Sequence, residues 1–195
     1  MRDRLRSGAL GSPVLLHCIS RGVAAPFATS ESSITGSTVH EFDIVPWLLD
    51  SPVTAVSWHR TRSALPAETL QDPQVLLLHT EGGVLATVEN FLNARYGYDI
   101  RAELVGTEGT VALTEPARTV TDRALSRGTA YAQDWRPRFA DAYRSELQAW
   151  VDATLDGTPT TLATAEDGWR AMLVAEAAIA SMQADDGRTV EVATR

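Results

Sequence analysis

The sequence has 195 residues, 44% of them hydrophobic and 22% charged, which is enough chain for one buried core and too little to demand two. Its formal net charge of -8 argues against nucleic acid or an anionic membrane as partner, and its apolar runs at 75–78 and 171–175 fall far short of the ~20 residues that span a bilayer. All 17 basic residues are arginine, which excludes Schiff-base, P-loop and proton-relay lysines from this chain.

In chain order, the Gly-Ser-Pro turn at 11–13 opens a strand over 13–20. Residues 22–38, rich in Ser, Thr, Gly and Ala and without a period, read as a loop. Apolar residues at helical spacing then predict a helix over 39–49, with Ser37 or Thr38 as N-cap. Pro46 removes a hydrogen bond inside that helix and is expected to kink or split it. Period-two runs predict strands over 53–60, 74–80, 84–91, 99–106 and 110–114. The Gly-bearing linkers between the later ones favour consecutive hairpins and an antiparallel sheet. Two helices follow. The first, over 136–155, lines up Phe139, Tyr143, Leu147, Trp150 and Thr154, and the second spans 165–184. A last strand over 189–193 ends the pattern.

This order describes an α+β fold over residues 1–195 as one domain: a large, open, mostly antiparallel sheet with helices packed on one face. The other sheet face needs a cover, and a second copy of the chain is the simplest one, so a homo-oligomer is expected.

Several stretches resemble a known family. They are Ser7-Gly8-Ala9-Leu10-Gly11-Ser12-Pro13, Thr35-Gly36-Ser37-Thr38-Val39-His40-Glu41-Phe42-Asp43 before Trp47-Leu48-Leu49, and Asn93-Ala94-Arg95-Tyr96-Gly97-Tyr98-Asp99. Gly106-Thr107-Glu108-Gly109-Thr110 and Arg138-Phe139-Ala140-Asp141-Ala142-Tyr143 follow at matching spacing. Together they are similar to the Gfo/Idh/MocA family of NAD-dependent oxidoreductases, in its inositol 2-dehydrogenase branch. The resemblance implies a C-terminal substrate and oligomerisation domain whose family partners a Rossmann domain that binds NAD. This chain shows no G-x-G-x-x-G and no family Glu-Lys-Pro lysine. It is therefore expected to start at the junction into the second domain, to bind no cofactor alone and to be inactive alone.

The resemblance also assigns site residues. His40 matches the family's catalytic histidine, a base suited to taking the proton of a ring hydroxyl as hydride leaves for NAD. Where the family has an aspartate four residues earlier, this sequence has Gly36. Asp43, one turn beyond His40, is either a polyol-binding acid or a solvated helix aspartate. Tyr96 and Tyr98 are either polyol contacts or aromatic packing. His17, His59 and His79 fall in strands and read as sheet residues, and no metal-ligand spacing is present. Arg95 and Arg101 either meet an anionic ligand or are solvated strand charges. Cys18 is single, which excludes an intrachain disulfide. The amino-terminal residues lack the apolar stretch and cleavage site of a secretory signal, so the cytoplasm is expected.

Three functions remain open: the polyol- or sugar-binding domain of such an oxidoreductase, a non-catalytic relative that binds a sugar-like ligand or oligomerises, and an unrelated α+β binding module.

Overall fold

The computed structural model describes residues 1–65, 70–114 and 119–194. A short helix α1 (Arg2–Arg6) precedes strand β1 (Pro13–Arg21). Helix α2 (Ser30–Ser33), a π-helical segment (Ile34–Thr38) and helix α3 (Val39–Leu49) then follow without a break. Strands β2 (Val53–Arg60), β3 (Gln74–Thr80), β4 (Leu85–Phe91), β5 (Asp99–Gly106) and β6 (Thr110–Ala112) come next. A small ribbon of β7 (Thr121–Arg123) and β8 (Ser126–Gly128) leads to α4 (Trp135–Asp156), α5 (Ala165–Ala184) and β9 (Thr189–Glu191).

The main sheet has seven strands in the order β6-β5-β1-β4-β3-β2-β9. Only β1 and β4 run parallel, with Leu16 beside Ala86; the other pairs are antiparallel. The alternation of the strands sends Leu16, Cys18, Leu76, Leu78, Ala86, Val88 and Leu104 to one face. There they meet Phe42, Val45 and Leu48 of α3 and Val174, Ala175 and Ala178 of α5, all in one buried cluster. Removal of this apolar surface from water is the main driving force of the fold. The alternate residues Leu15, His17, Ile19, Val75, Leu77, Thr87 and Glu89 point away from these helices and are only half-buried. The expected α+β architecture, with one sheet face carrying helices, is thus what the chain forms.

Four expectations differ from the structure. Residues 30–38, read as a loop, are helical. Thr29 rather than Ser37 or Thr38 provides the cap, in a reciprocal capping box with Ser32. Weak helix formers adopt this shape because the sheet holds them. Asn90 Nδ2 donates to the Ser33 carbonyl at 3.1 Å and to Thr38 Oγ1 at 2.7 Å, and Gln74 Nε2 donates to the Ser30 carbonyl at 3.2 Å and to Ser33 Oγ.

Pro46 neither kinks nor splits α3, which runs through it to a left-handed cap at Asp50. Phe42, Val45, Leu48 and Leu49 bury on both sides of the proline, and that packing outweighs one lost hydrogen bond. The linker between β4 and β5 is not a hairpin, because β1, from far upstream, lies between them. Lastly, α4 contributes no buried residue, so its Tyr143, Leu147 and Trp150 stripe lies exposed, and α3 and α5 supply the helical layer.

Candidate functional site

His40 stands in the first turn of α3, directly after the π-helical segment, and its side chain is exposed. Single π turns are often kept where they aim a functional residue. One turn on, Asp43 is half-buried. Burial raises the Asp43 carboxyl above its ordinary range and the charge of Asp167 adds to this, while His40 acts in the opposite direction. His40 and Asp43 therefore lie within electrostatic reach of each other. Asp167 comes from the first turn of α5, where it forms a capping box with Thr164. Gly36 sits exposed in the π-helical segment, with open space where a Cβ would stand.

The two tyrosines part company. Tyr98 is half-buried beside α4, its ring edge-to-face with Phe139 at 6.3 Å between centroids. Burial raises its hydroxyl first, followed by the charge of Glu41; Arg138 lowers it. Tyr98 thus packs against the start of α4. Tyr96 is tied to the residues of the opposite sheet face. Its hydroxyl donates to Asp99 Oδ2 at 2.5 Å and accepts from Arg21 Nη1 at 3.0 Å. Arg21 also pairs with Glu89, and Arg101 pairs with Asp99 and donates to the Tyr131 hydroxyl at 3.2 Å. Against burial, which would raise it, Arg101 and Tyr96 hold the Asp99 carboxyl below its usual value. Gly97 separates the tyrosines because any Cβ there would collide with the Tyr131 side chain. Of the four residues singled out in the sequence, His40 and Asp43 share α3, Tyr98 packs on Phe139 of α4, and Tyr96 lies in a separate ion-pair network.

The other candidates settle into the sheet. His17 Nδ1 lies 2.8 Å from Thr87 Oγ1, and a His59 ring nitrogen lies 2.9 Å from Ser57 Oγ. Cys18 is buried, its thiol pushed up to about 12 by burial and the charge of Glu41. Among the described residues no group of His, Cys, Asp and Glu is placed to hold a metal, and no helix is long and apolar enough to cross a membrane. An open cleft of about 1120 Å³ lies beside Asp43, with Trp47, Asp167, Trp169 and Arg170 in its wall.

Sequence reading missed Glu41. It follows His40 yet is 7% exposed, on the inward side of α3 with Phe42 and Val45. A glutamate at a core position of the helical pattern was the available signal. Burial, opposed by its own backbone N–H, pushes its carboxyl from 4.5 to about 8. A carboxyl raised in the folded state favours folding fully below the unfolded value, and that contribution is lost as pH rises through the folded one. From pH 4.5 to 8, the protein should therefore lose on the order of a few kcal/mol more stability than Glu41→Gln, as read by urea unfolding. Parallel pH profiles for the two proteins would contradict this.

The same fold occurs in known proteins. A family model described as the GFO/IDH/MocA C-terminal domain matches residues 1–112. Inositol 2-dehydrogenase 2 of Paenarthrobacter aurescens is 46% identical over 98% of this chain and 58% of its own length. Inositol 2-dehydrogenase 1 of Saccharopolyspora erythraea is 47% identical over 98% of this chain and 57% of its own. The crystal structure of myo-inositol dehydrogenase from Lactobacillus casei, in complex with NAD(H) and myo-inositol, superposes with a TM-score of 0.92 at 28% identity, covering 100% of this chain and 58% of that one. A probable dehydrogenase from Thermotoga maritima gives a TM-score of 0.86 at 27% identity, over 98% of this chain and 60% of that one. The chain thus spans under two thirds of the length of these relatives.

Proposed function

The chain belongs to the Gfo/Idh/MocA family as a C-terminal domain, and from that premise we propose that it forms the polyol-binding wall of an NAD-dependent inositol dehydrogenase. The observation that carries the reading is His40, exposed in the first turn of α3 one turn before the half-buried Asp43, within the residues that the family model matches. In this reading His40 accepts the proton of a ring hydroxyl, and Asp43 and Tyr98 orient the ring. NAD supplies the hydride acceptor when bound. The described residues contain no Gly-rich strand-to-helix turn of the kind that cradles a dinucleotide pyrophosphate, so they do not fit that cofactor.

Two further expectations belong to this reading. The chain alone should give a flat calorimetric trace with NADH, and a one-to-one isotherm at micromolar affinity would overturn it. It should also self-associate through the sheet face that carries Leu15, Ile19, Val75 and Leu77, and light scattering should show a mass well above 21.1 kDa. A monodisperse monomer at tens of micromolar would contradict the oligomer.

Gly36 supports a second reading, a non-catalytic relative that keeps the polyol site or the assembly, since no carboxylate stands four residues before His40. Saturation-transfer NMR with myo-inositol tests the shared part. Transfer from the chain to the ring should be lost in His40→Ala, whereas equal transfer in both would remove His40 from the site.

A further inference from the structure

Along β4 the residues that face the helices are Ala86, Val88 and Asn90, all buried, and the third is polar where the alternation calls for an apolar side chain. Its antiparallel neighbour on β3 is Gln74, so two amide side chains stand side by side in the core. Both reach the segment ahead of His40. Gln74 Nε2 donates to the Ser30 carbonyl and to Ser33 Oγ, and its Oε1 accepts from the Trp58 indole. Asn90 Nδ2 donates to the Ser33 carbonyl at 3.1 Å and to Thr38 Oγ1 at 2.7 Å, while Asn90 Oδ1 accepts from Ser37 Oγ at 3.3 Å. Thr38 Oγ1 in turn donates to the Ser33 carbonyl at 3.2 Å. The Asn90 amide thus uses both its donors and its acceptor on one turn of backbone.

That turn is the π-helical one. Ser33 and Thr38, five residues apart, are 1% and 0% exposed. At about 100° per residue, positions five apart on an α-helix diverge by about 140° around its axis, too far for both to bury against one sheet. The i→i+5 bonding of a wide turn brings them nearly in line. Asn90 therefore fits the wide turn and not a regular one, since its partners are the carbonyl just ahead of that turn and the hydroxyls of its last two residues. The Ser, Thr and Gly residues of this segment have little helical preference of their own to hold the shape. His40 follows Thr38 by two residues and is exposed, while Glu41 and Phe42 beyond it are buried.

We propose that Asn90 is a positioning residue for His40: by clamping Ser33, Ser37 and Thr38 it keeps the turn before α3 wide, and so sets the direction in which the His40 imidazole leaves the helix. This rests on the reading of His40 as the residue that meets a polyol hydroxyl, and deepens it by naming what holds the imidazole in place. Without the amide, the Ser33 carbonyl and the Thr38 hydroxyl stay buried with one partner fewer, a costly state that a closed α-helical turn relieves. Closing the turn rotates the chain on one side of it against the other by about 100°, one residue's share of an α-helix. Phe42, Val45 and Leu48 hold the later turns of α3 in the core, so the change falls on its first turn and on residues 34–37, which carry His40 and Gly36.

The test is an NMR titration of the whole chain with myo-inositol, following the imidazole ring signal of His40. Asn90→Leu keeps the bulk of the side chain and removes the amide. It should move the His40 ring signal in the free chain and weaken myo-inositol binding about tenfold, the usual consequence of one misdirected hydrogen bond. Thr38→Val removes one arm of the clamp at nearly equal volume and should act in the same direction, and Thr38→Ser, which restores the hydroxyl, should recover most of the loss. Asn90→Leu with Thr38→Val should bind about as weakly as Asn90→Leu alone, because both changes break the same clamp. Thr80→Val is the control: it breaks the buried bonds between Thr80 Oγ1 and Val84 at the far end of β3, away from Asn90, and should leave the ring signal and the binding as they are. Should Asn90→Leu fail to fold, the two Thr38 variants decide the matter. Folded clamp variants with the His40 signal and the affinity of the unmodified chain would overturn this inference and leave the proposed function standing, and so would an equal loss in Thr80→Val, which would mark the effect as one of stability alone. An absence of any saturable response at His40 in the unmodified chain would overturn both.

Discussion

Replacing Trp58 with alanine should destabilise the domain by about 3–5 kcal/mol, the range for large aromatic truncations in a packed core. Trp58 is 1% exposed in β2, and its indole Nε1 donates to Gln74 Oε1 at 2.6 Å. Gln74 is the residue whose amide holds Ser30 and Ser33 ahead of the π-helical segment. The substitution therefore opens a cavity and frees the brace that shapes the approach to His40. Trp58→Phe separates the two effects. It keeps most of the ring volume but leaves the buried Gln74 oxygen without its donor, a cost of about 1–3 kcal/mol. Since a domain of this kind is stabilised by roughly 5–15 kcal/mol in total, Trp58→Ala should remove a large share of it. Urea unfolding reads this as a lower midpoint at unchanged slope. A loss under about 1 kcal/mol for the alanine would show that the site relaxes freely and that this part of the core is not close-packed.

A second large effect is expected at Gly36. When this domain is joined to a Rossmann domain from an inositol dehydrogenase relative, the chimera should fold and bind NAD but oxidise myo-inositol very slowly. Gly36→Asp in the same chimera should raise the rate by about 10² to 10⁴, the range over which a positioned acid–base pair acts. The structure favours this substitution. An added Cβ at Gly36 meets nothing within 4 Å, its backbone is not in the left-handed region, and it lies in the π-helical segment four residues before His40. A carboxylate there can orient the imidazole and stabilise its protonated form. Equal turnover with and without the aspartate, in chimeras of matched stability, would mean that the carboxylate is dispensable.

The strands β2, β3 and β5 and the helix α5 were legible to the residue, because alternation and helical spacing are strong where one face is buried and the other wet. What escaped sequence reading depends on partners distant in the chain. Residues 30–38 are Ser, Thr and Gly for the most part and have no pattern of their own, and the side chains of Asn90 and Gln74 make them helical. The position of β1 between β4 and β5 is likewise a long-range pairing that no local signal announces. In the site, His40 and Asp43 were legible from spacing on one helix. The separation of Tyr96 from Tyr98 was not, because it turns on Arg21 and Asp99 claiming the Tyr96 hydroxyl. Glu41 was in view within a quoted motif, yet its burial is a property of packing alone.

The measurement that bears most directly on the proposed function is a crystal structure of the chain soaked with myo-inositol. The ring should lie beside α3 with one hydroxyl within hydrogen-bonding distance of the His40 imidazole and its other hydroxyls towards Asp43 and Tyr98. A ring seated instead in the open cleft between Trp47 and Trp169, with His40 untouched, would contradict the account.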